Sequence, residues 1–71
     1  MKQPTKIDRH IGKKIREIRL KRGMSQTYLA KKAKLSFQQI QKYENGKNRI
    51  AASRLFKIAK ILETPLLAFF P

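Results

Sequence analysis

Gln38, Gln41, Lys42 and Asn45 fall within eight residues of one another. Each carries a group that matches the edge of a base or an oxygen of a phosphate. A glutamine amide holds a donor and an acceptor side by side, and that pair fits the N6 and N7 positions of adenine. A lysine ammonium suits guanine, whose O6 and N7 both accept. A bidentate contact of this kind discriminates between bases by about 1–3 kcal/mol. The four side chains also belong to a 71-residue chain with 18 Lys and Arg against four acids and a formal net charge of +14.

The element that must carry them is a helix. Ser36 is placed to cap it, and Asn45-Gly46 to end it. On a wheel of about 100° per residue with Ile40 pointing inward, Phe37 and Glu44 lie within about 60° on one side and Tyr43 within about 60° on the other. Gln38, Gln41, Lys42 and Asn45 then share the opposite face, with Gln39 between the two. Phe37 has two readings, packing beneath the helix or pressing on a thymine methyl. Gln41 has two as well, a base contact or a solvated side chain.

The rest of the chain reads as further short helices. Residues 1–6 are polar and basic and contain Pro4, which predicts a flexible arm, with Lys2, Lys6 and Arg9 available to phosphates or a minor groove. Asp8 is the expected cap of a first helix that carries Ile11, Ile15 and Ile18 inward and stops at Arg22-Gly23. His10 sits near its start as a half-exposed residue. Ser25 caps a second helix with Leu29, Ala30 and Ala33 inside, and the turn Lys34-Leu35 leads to the third. A fourth follows the basic linker 47–50, with Leu55, Ile58, Ala59 and Leu62 inward and only Ser53 near its start as a cap. Thr64 and Pro65 predict a final helical turn, as cap and first residue. The expectation is an all-α bundle of five short helices, with residues 7–71 as a single domain.

Bulk properties narrow the function. A chain this short buries only about 60% of its unfolded surface, which leaves no room for a deep cofactor pocket. Cysteine is absent and His10 is the only histidine, so thiolate or multi-histidine metal sites cannot form, and no cofactor is expected. No nucleophile–base pair or phosphate-binding glycine loop suggests an enzyme. The apolar run 66–70 is five residues long, against about 20 for a spanning helix, so a cytoplasmic protein is expected. Its charge excess points to a polyanion, either nucleic acid or an anionic membrane surface.

Extended motifs carry a resemblance. IREIR at 15–19, GMSQ at 23–26, LA at 29–30, YENGK at 43–47, LFKIAKIL at 55–62 and the closing FF occur in order. Together they resemble the phage repressor and Cro-type (XRE-like) helix-turn-helix domains of bacterial transcription regulators, over about sixty of the 71 positions. The resemblance implies a lambda-repressor-like fold and double-stranded DNA as partner, in a nucleoid-associated regulator. It places Phe37, Gln38, Gln41 and Lys42 toward the major groove. Gln26 would donate to a phosphate while touching the recognition helix, and Ser36, Asn45, Lys47, Asn48 and Arg49 would complete the phosphate contacts. Arg19 and Glu44 match positions that form a buried ion pair in relatives. Two positions depart from the pattern: Lys34 stands where glycine is common in a left-handed turn, and Ile50 where proline is common.

The apolar tail offers Leu66, Leu67, Phe69 and Phe70 as a homodimer surface. Its alternatives are a fold back onto the core, or a protein partner such as a toxin bound by a DNA-binding antitoxin. The leading expectation is a sequence-specific DNA-binding regulator, a repressor acting as a dimer on a partly palindromic site. A non-specific cationic binder of nucleic acid or membrane surface is the alternative.

Overall fold

The computed structural model describes residues 4–71. Its elements are α1 (Lys6–Lys21), α2 (Gln26–Ala33), α3 (Phe37–Glu44), α4 (Ala52–Ile61) and a 3-10 turn, Leu66–Phe69. Among the described residues there are four α-helices and no strand, one α-helix fewer than the periodicity suggests. Pro65 is the reason: at φ −58°, ψ 141° it is extended and precedes the turn instead of opening it. Thr64 does not cap the turn either, because its hydroxyl donates back to the Leu62 carbonyl at 2.9 Å.

The first helix starts earlier than Asp8. Thr5 is the cap: its hydroxyl accepts from the Asp8 N–H, and the Asp8 carboxylate accepts from the Thr5 N–H. Thr5 and Asp8 thus form a reciprocal capping box, in which Asp8 is the third helical residue. Lys6 and Arg9 therefore lie in α1 and not in an arm, and Lys2 lies outside the described residues. Ser25 and Ser36 cap α2 and α3 by accepting from the Tyr28 and Gln39 amides. No side chain caps α4, Ser53 included.

All four helices stop in the same way. A residue at or just after each cap takes a left-handed conformation: Gly23 (φ 70°), Lys34 (φ 59°), Gly46 (φ 71°) and Glu63 (φ 52°). Around each, paired bonds close the last turn, such as Met24 N–H to Arg19 carbonyl and Gly23 N–H to Leu20 carbonyl, both at 3.0 Å. This is a Schellman stop, for which glycine is the unstrained residue. Lys34 and Glu63 each carry roughly 1 kcal/mol of local strain. At Glu63 the strained end is tied down by Arg22, which donates to the Leu62 and Glu63 carbonyls at 2.9 and 3.0 Å.

One core joins the elements: Ile11 and Ile15 of α1; Leu29, Ala30 and Ala33 of α2; Ile40 of α3; Leu55, Ile58, Ala59 and Leu62 around α4; and Phe69. Ile50 packs against it from the α3–α4 loop. Phe69 is 0% exposed, which removes it from the surface expected for a partner. An aromatic ring beside so small a core is stabilised more by filling it than by waiting for a second chain. Gly12 makes the α1–α3 seam possible. A Cβ there would stand 1.9 Å from the Tyr43 carbonyl oxygen, so only hydrogen allows the backbones to lie this close.

Candidate nucleic-acid interface

Helix α3 divides sharply. Ile40, Tyr43 and Glu44 are buried, whereas Gln38, Gln41, Lys42 and Asn45 are exposed on one face. Phe37, the first residue of α3, is 39% exposed. Gln39 is half-buried. The Ser36 hydroxyl accepts from the Gln39 amide at 3.1 Å, and its own proton remains able to donate. Lys47, Asn48 and Arg49 follow on the exposed loop after the α3 stop.

Beneath this face lies the Arg19–Glu44 ion pair, with side chains 7% and 1% exposed. It is bidentate, Arg19 Nε to Glu44 Oε2 at 2.6 Å and Nη2 to Oε1 at 3.0 Å. Arg19 Nη1 donates to the Met24 carbonyl at 2.7 Å. Gln26 Nε2 donates to Glu44 Oε1 at 3.0 Å. Gln26 thus touches α3, as the resemblance implies, and does so through an amide hydrogen turned to Glu44, because a buried carboxylate attracts the nearest spare donor. Only the second amide hydrogen stays available to a phosphate. One acid thereby binds α1, the start of α2 and the end of α3 into a rigid support.

Three further contacts escaped the sequence reading. Arg54 Nη1 donates to the Tyr43 hydroxyl at 2.8 Å, tying α4 to the buried side of α3. Arg49 Nε stands 3.2 Å from Asp8 Oδ2, so a residue expected on a phosphate also has a protein partner. Gly12 supplies the close approach described above. Its signal was visible, a glycine inside a helical pattern that otherwise costs about 1 kcal/mol relative to alanine. The Arg54 and Arg49 contacts had no comparable signal, since nothing local indicates which of many basic residues will meet a distant oxygen.

At the tail, Leu67 is 82% exposed, and Leu66 and Phe70 are partly so, around the buried Phe69. The apolar surface left for a partner is therefore smaller than four residues. Among the described residues no helix is long and apolar enough to cross a membrane.

Comparison with known proteins gives the family and the fold. A family described as helix-turn-helix matches residues 15–69. The chain is 51% identical over 69 residues to an uncharacterized HTH-type transcriptional regulator of Sinorhizobium medicae, covering 97% of this chain and 50% of that protein. It is 50% identical over 64 residues to an uncharacterized transcriptional regulator in the ATPase CF(0) region of Rhodospirillum rubrum, covering 90% and 59%. The chain thus spans about half the length of the curated relatives it matches. Among solved structures, the restriction-modification controller protein C.AhdI from Aeromonas hydrophila superimposes with a TM-score of 0.83 at 26% identity, over 87% of this chain and 94% of that one. Hydroxypropylphosphonic acid epoxidase from S. wedmorenis contains the same fold, with a TM-score of 0.86 at 21% identity over 35% of its length. The fold therefore also occurs inside an enzyme, and function must be argued from side chains.

Proposed function

We propose, from the premise that this chain belongs to the helix-turn-helix family, that it is a sequence-specific double-stranded DNA-binding transcription regulator that inserts α3 into the major groove. The observation carrying this reading is the two-sided character of α3. Its outer face bears Gln38, Gln41, Lys42 and Asn45, and its inner face is anchored by the Glu44 network. Gln38 pairs with the N6 and N7 edge of adenine, Lys42 favours guanine, and Phe37 meets a thymine methyl. Ser36, Asn45, Lys47, Asn48 and Arg49 hold phosphates on either side, helped by the remaining amide hydrogen of Gln26. These contacts orient the helix without reading sequence.

The protein acts as a homodimer and a repressor on this reading. Leu66, Leu67 and Phe70 supply the exposed apolar contact, and two-fold symmetry sets the recognition helices about 34–36 Å apart, one turn of DNA. Selection of bound duplexes from a random pool, repeated across salt concentrations, tests the reading. A motif with two half-sites one turn apart is expected, and Gln38→Ala should lower preference at one base position of each half-site by about 1–3 kcal/mol without altering the salt slope. Steep salt dependence with no enriched motif would overturn it in favour of non-specific polyanion binding.

A further inference from the structure

Asp8 is one of four acids in a chain of net charge +14, and it faces the basic loop that follows α3. A single oxygen, Oδ2, takes the Thr5 N–H at 2.8 Å, the Thr5 hydroxyl at 2.9 Å and lies 3.2 Å from Arg49 Nε. The oxygen that caps α1 thus also anchors the loop. A second point of contact fixes the other end of the same loop: Gly46 lies so close to α1 that a Cβ would stand 2.7 Å from Arg9 Cγ and 3.3 Å from Arg9 Cα. Loop 46–49 is therefore seated on the first turns of α1 at two places. The Asp8 side chain is 11% exposed and that of Arg49 is 53% exposed. With Nε turned to Asp8, the two terminal nitrogens of Arg49 remain for another anion.

We propose that Asp8 is a positioning residue for DNA, holding Arg49 so that the outer edge of its guanidinium meets a phosphate beside the recognition helix. The proposal rests on the DNA-binding reading above. It makes a prediction opposite in sign to plain electrostatics. If Asp8 were only a negative charge near a polyanion, Asp8→Asn would tighten binding to every duplex. If Asp8 positions Arg49, its loss frees a long side chain whose ordering must then be met on binding. Affinity for the cognate site falls while affinity for unrelated sequence does not.

The experiment measures binding of the full chain to the duplex enriched by selection and to a scrambled duplex of equal length, at several salt concentrations. Wild type, Asp8→Asn, Arg49→Gln, the double variant and Thr5→Ala are compared, with thermal melts alongside. Arg49→Gln should reduce the salt slope by about one. Asp8→Asn should weaken cognate binding roughly 3- to 10-fold and leave scrambled binding equal or tighter. In the Asp8→Asn background, Arg49→Gln should then have little further effect on cognate affinity. Thr5→Ala, which weakens the helix cap but leaves the carboxylate, should lower the melting temperature without changing the cognate-to-scrambled ratio. Equal tightening of both duplexes by Asp8→Asn would overturn the positioning role alone. A wild-type chain that fails to separate the two duplexes would overturn the DNA-reading function and the positioning role together.

Discussion

Two ionic ties join α1 to α3 and the loop after it, one near each end of α1, and burial separates them. Arg19–Glu44 is 7% and 1% exposed, and every oxygen of its carboxylate has a donor. Arg49–Asp8 is 53% and 11% exposed, with a single contact at 3.2 Å. The chemistry is the same in both, guanidinium against carboxylate. In the interior it sets where α3 sits, because no water can replace a lost partner. At the surface water can replace it, so the pair contributes little to stability and leaves its arginine open to a competing anion. Location, and not residue type, therefore sorts structural charges from those placed for a ligand.

The largest effect should follow from breaking the buried tie. Glu44→Ala leaves Arg19 charged and unpaired in the interior and should cost about 3–5 kcal/mol in chemical denaturation. Replacing both partners, Arg19→Met with Glu44→Leu, should recover much of that loss, because no charge is then stranded. If Glu44→Ala unfolds at nearly the wild-type denaturant concentration, burial is not what distinguishes the two ties.

A smaller effect tests whether packing, as well as charge, sets the α1–α3 seam between them. Gly12→Ala places a methyl against the Tyr43 carbonyl and should destabilise by about 1–3 kcal/mol or more. Specific DNA binding should fall further than stability alone explains, since α3 must shift. An alanine variant that melts like the wild type would show that the charges position α3 without the close approach.

The smallest effect belongs to the exposed tie. The Asp8 carboxyl is held below the usual carboxylate range, chiefly by the Thr5 backbone N–H, with the Thr5 hydroxyl, Arg49 and Arg9 adding to it against desolvation. A depressed folded-state value gives stability that is fully present above the ordinary carboxylate pKa and is lost as pH falls through the folded one. The stability difference between wild type and Asp8→Asn should accordingly be flat above about pH 5 and narrow below about pH 4. Its tie to Arg49 should account for less than about 1 kcal/mol of that difference. A difference that stays constant to pH 2 would mean that the carboxylate form makes no contribution.

Much of the site was legible because it depends on neighbours in the chain. The helical period around Ile40 separates an inner from an outer face, and the structure buries Ile40, Tyr43 and Glu44 while exposing Gln38, Gln41, Lys42 and Asn45. Phe37 is ambiguous on the wheel, and in the structure it is 39% exposed. The start of α1 differs from the expectation although its signal is local: the Thr5–Asp8 spacing is that of a capping box, with Thr5 as cap and Asp8 as the third helical residue. In the tail only Phe69 departs from the expected surface, for a different reason. An unbroken run of five apolar residues, 66–70, gives no period from which to tell the one that turns inward.

Composition and short-range pattern thus determined a small, strongly basic, helical chain, the caps at Ser25 and Ser36, the glycine stops at Gly23 and Gly46, and an amide-bearing outer face on α3. Each of these is a property of residues within one or two turns of each other, where backbone geometry leaves few choices. Tertiary structure alone decided that Phe69 enters the core, that Gln26 turns to Glu44, that Gly12 meets the Tyr43 carbonyl and that Asp8 receives Arg49. It also holds Glu63 in a left-handed stop, with Arg22 on the carbonyls beside it. Those outcomes depend on which distant groups the packed core brings together, and local propensities weaker than about 1 kcal/mol per residue cannot encode that choice.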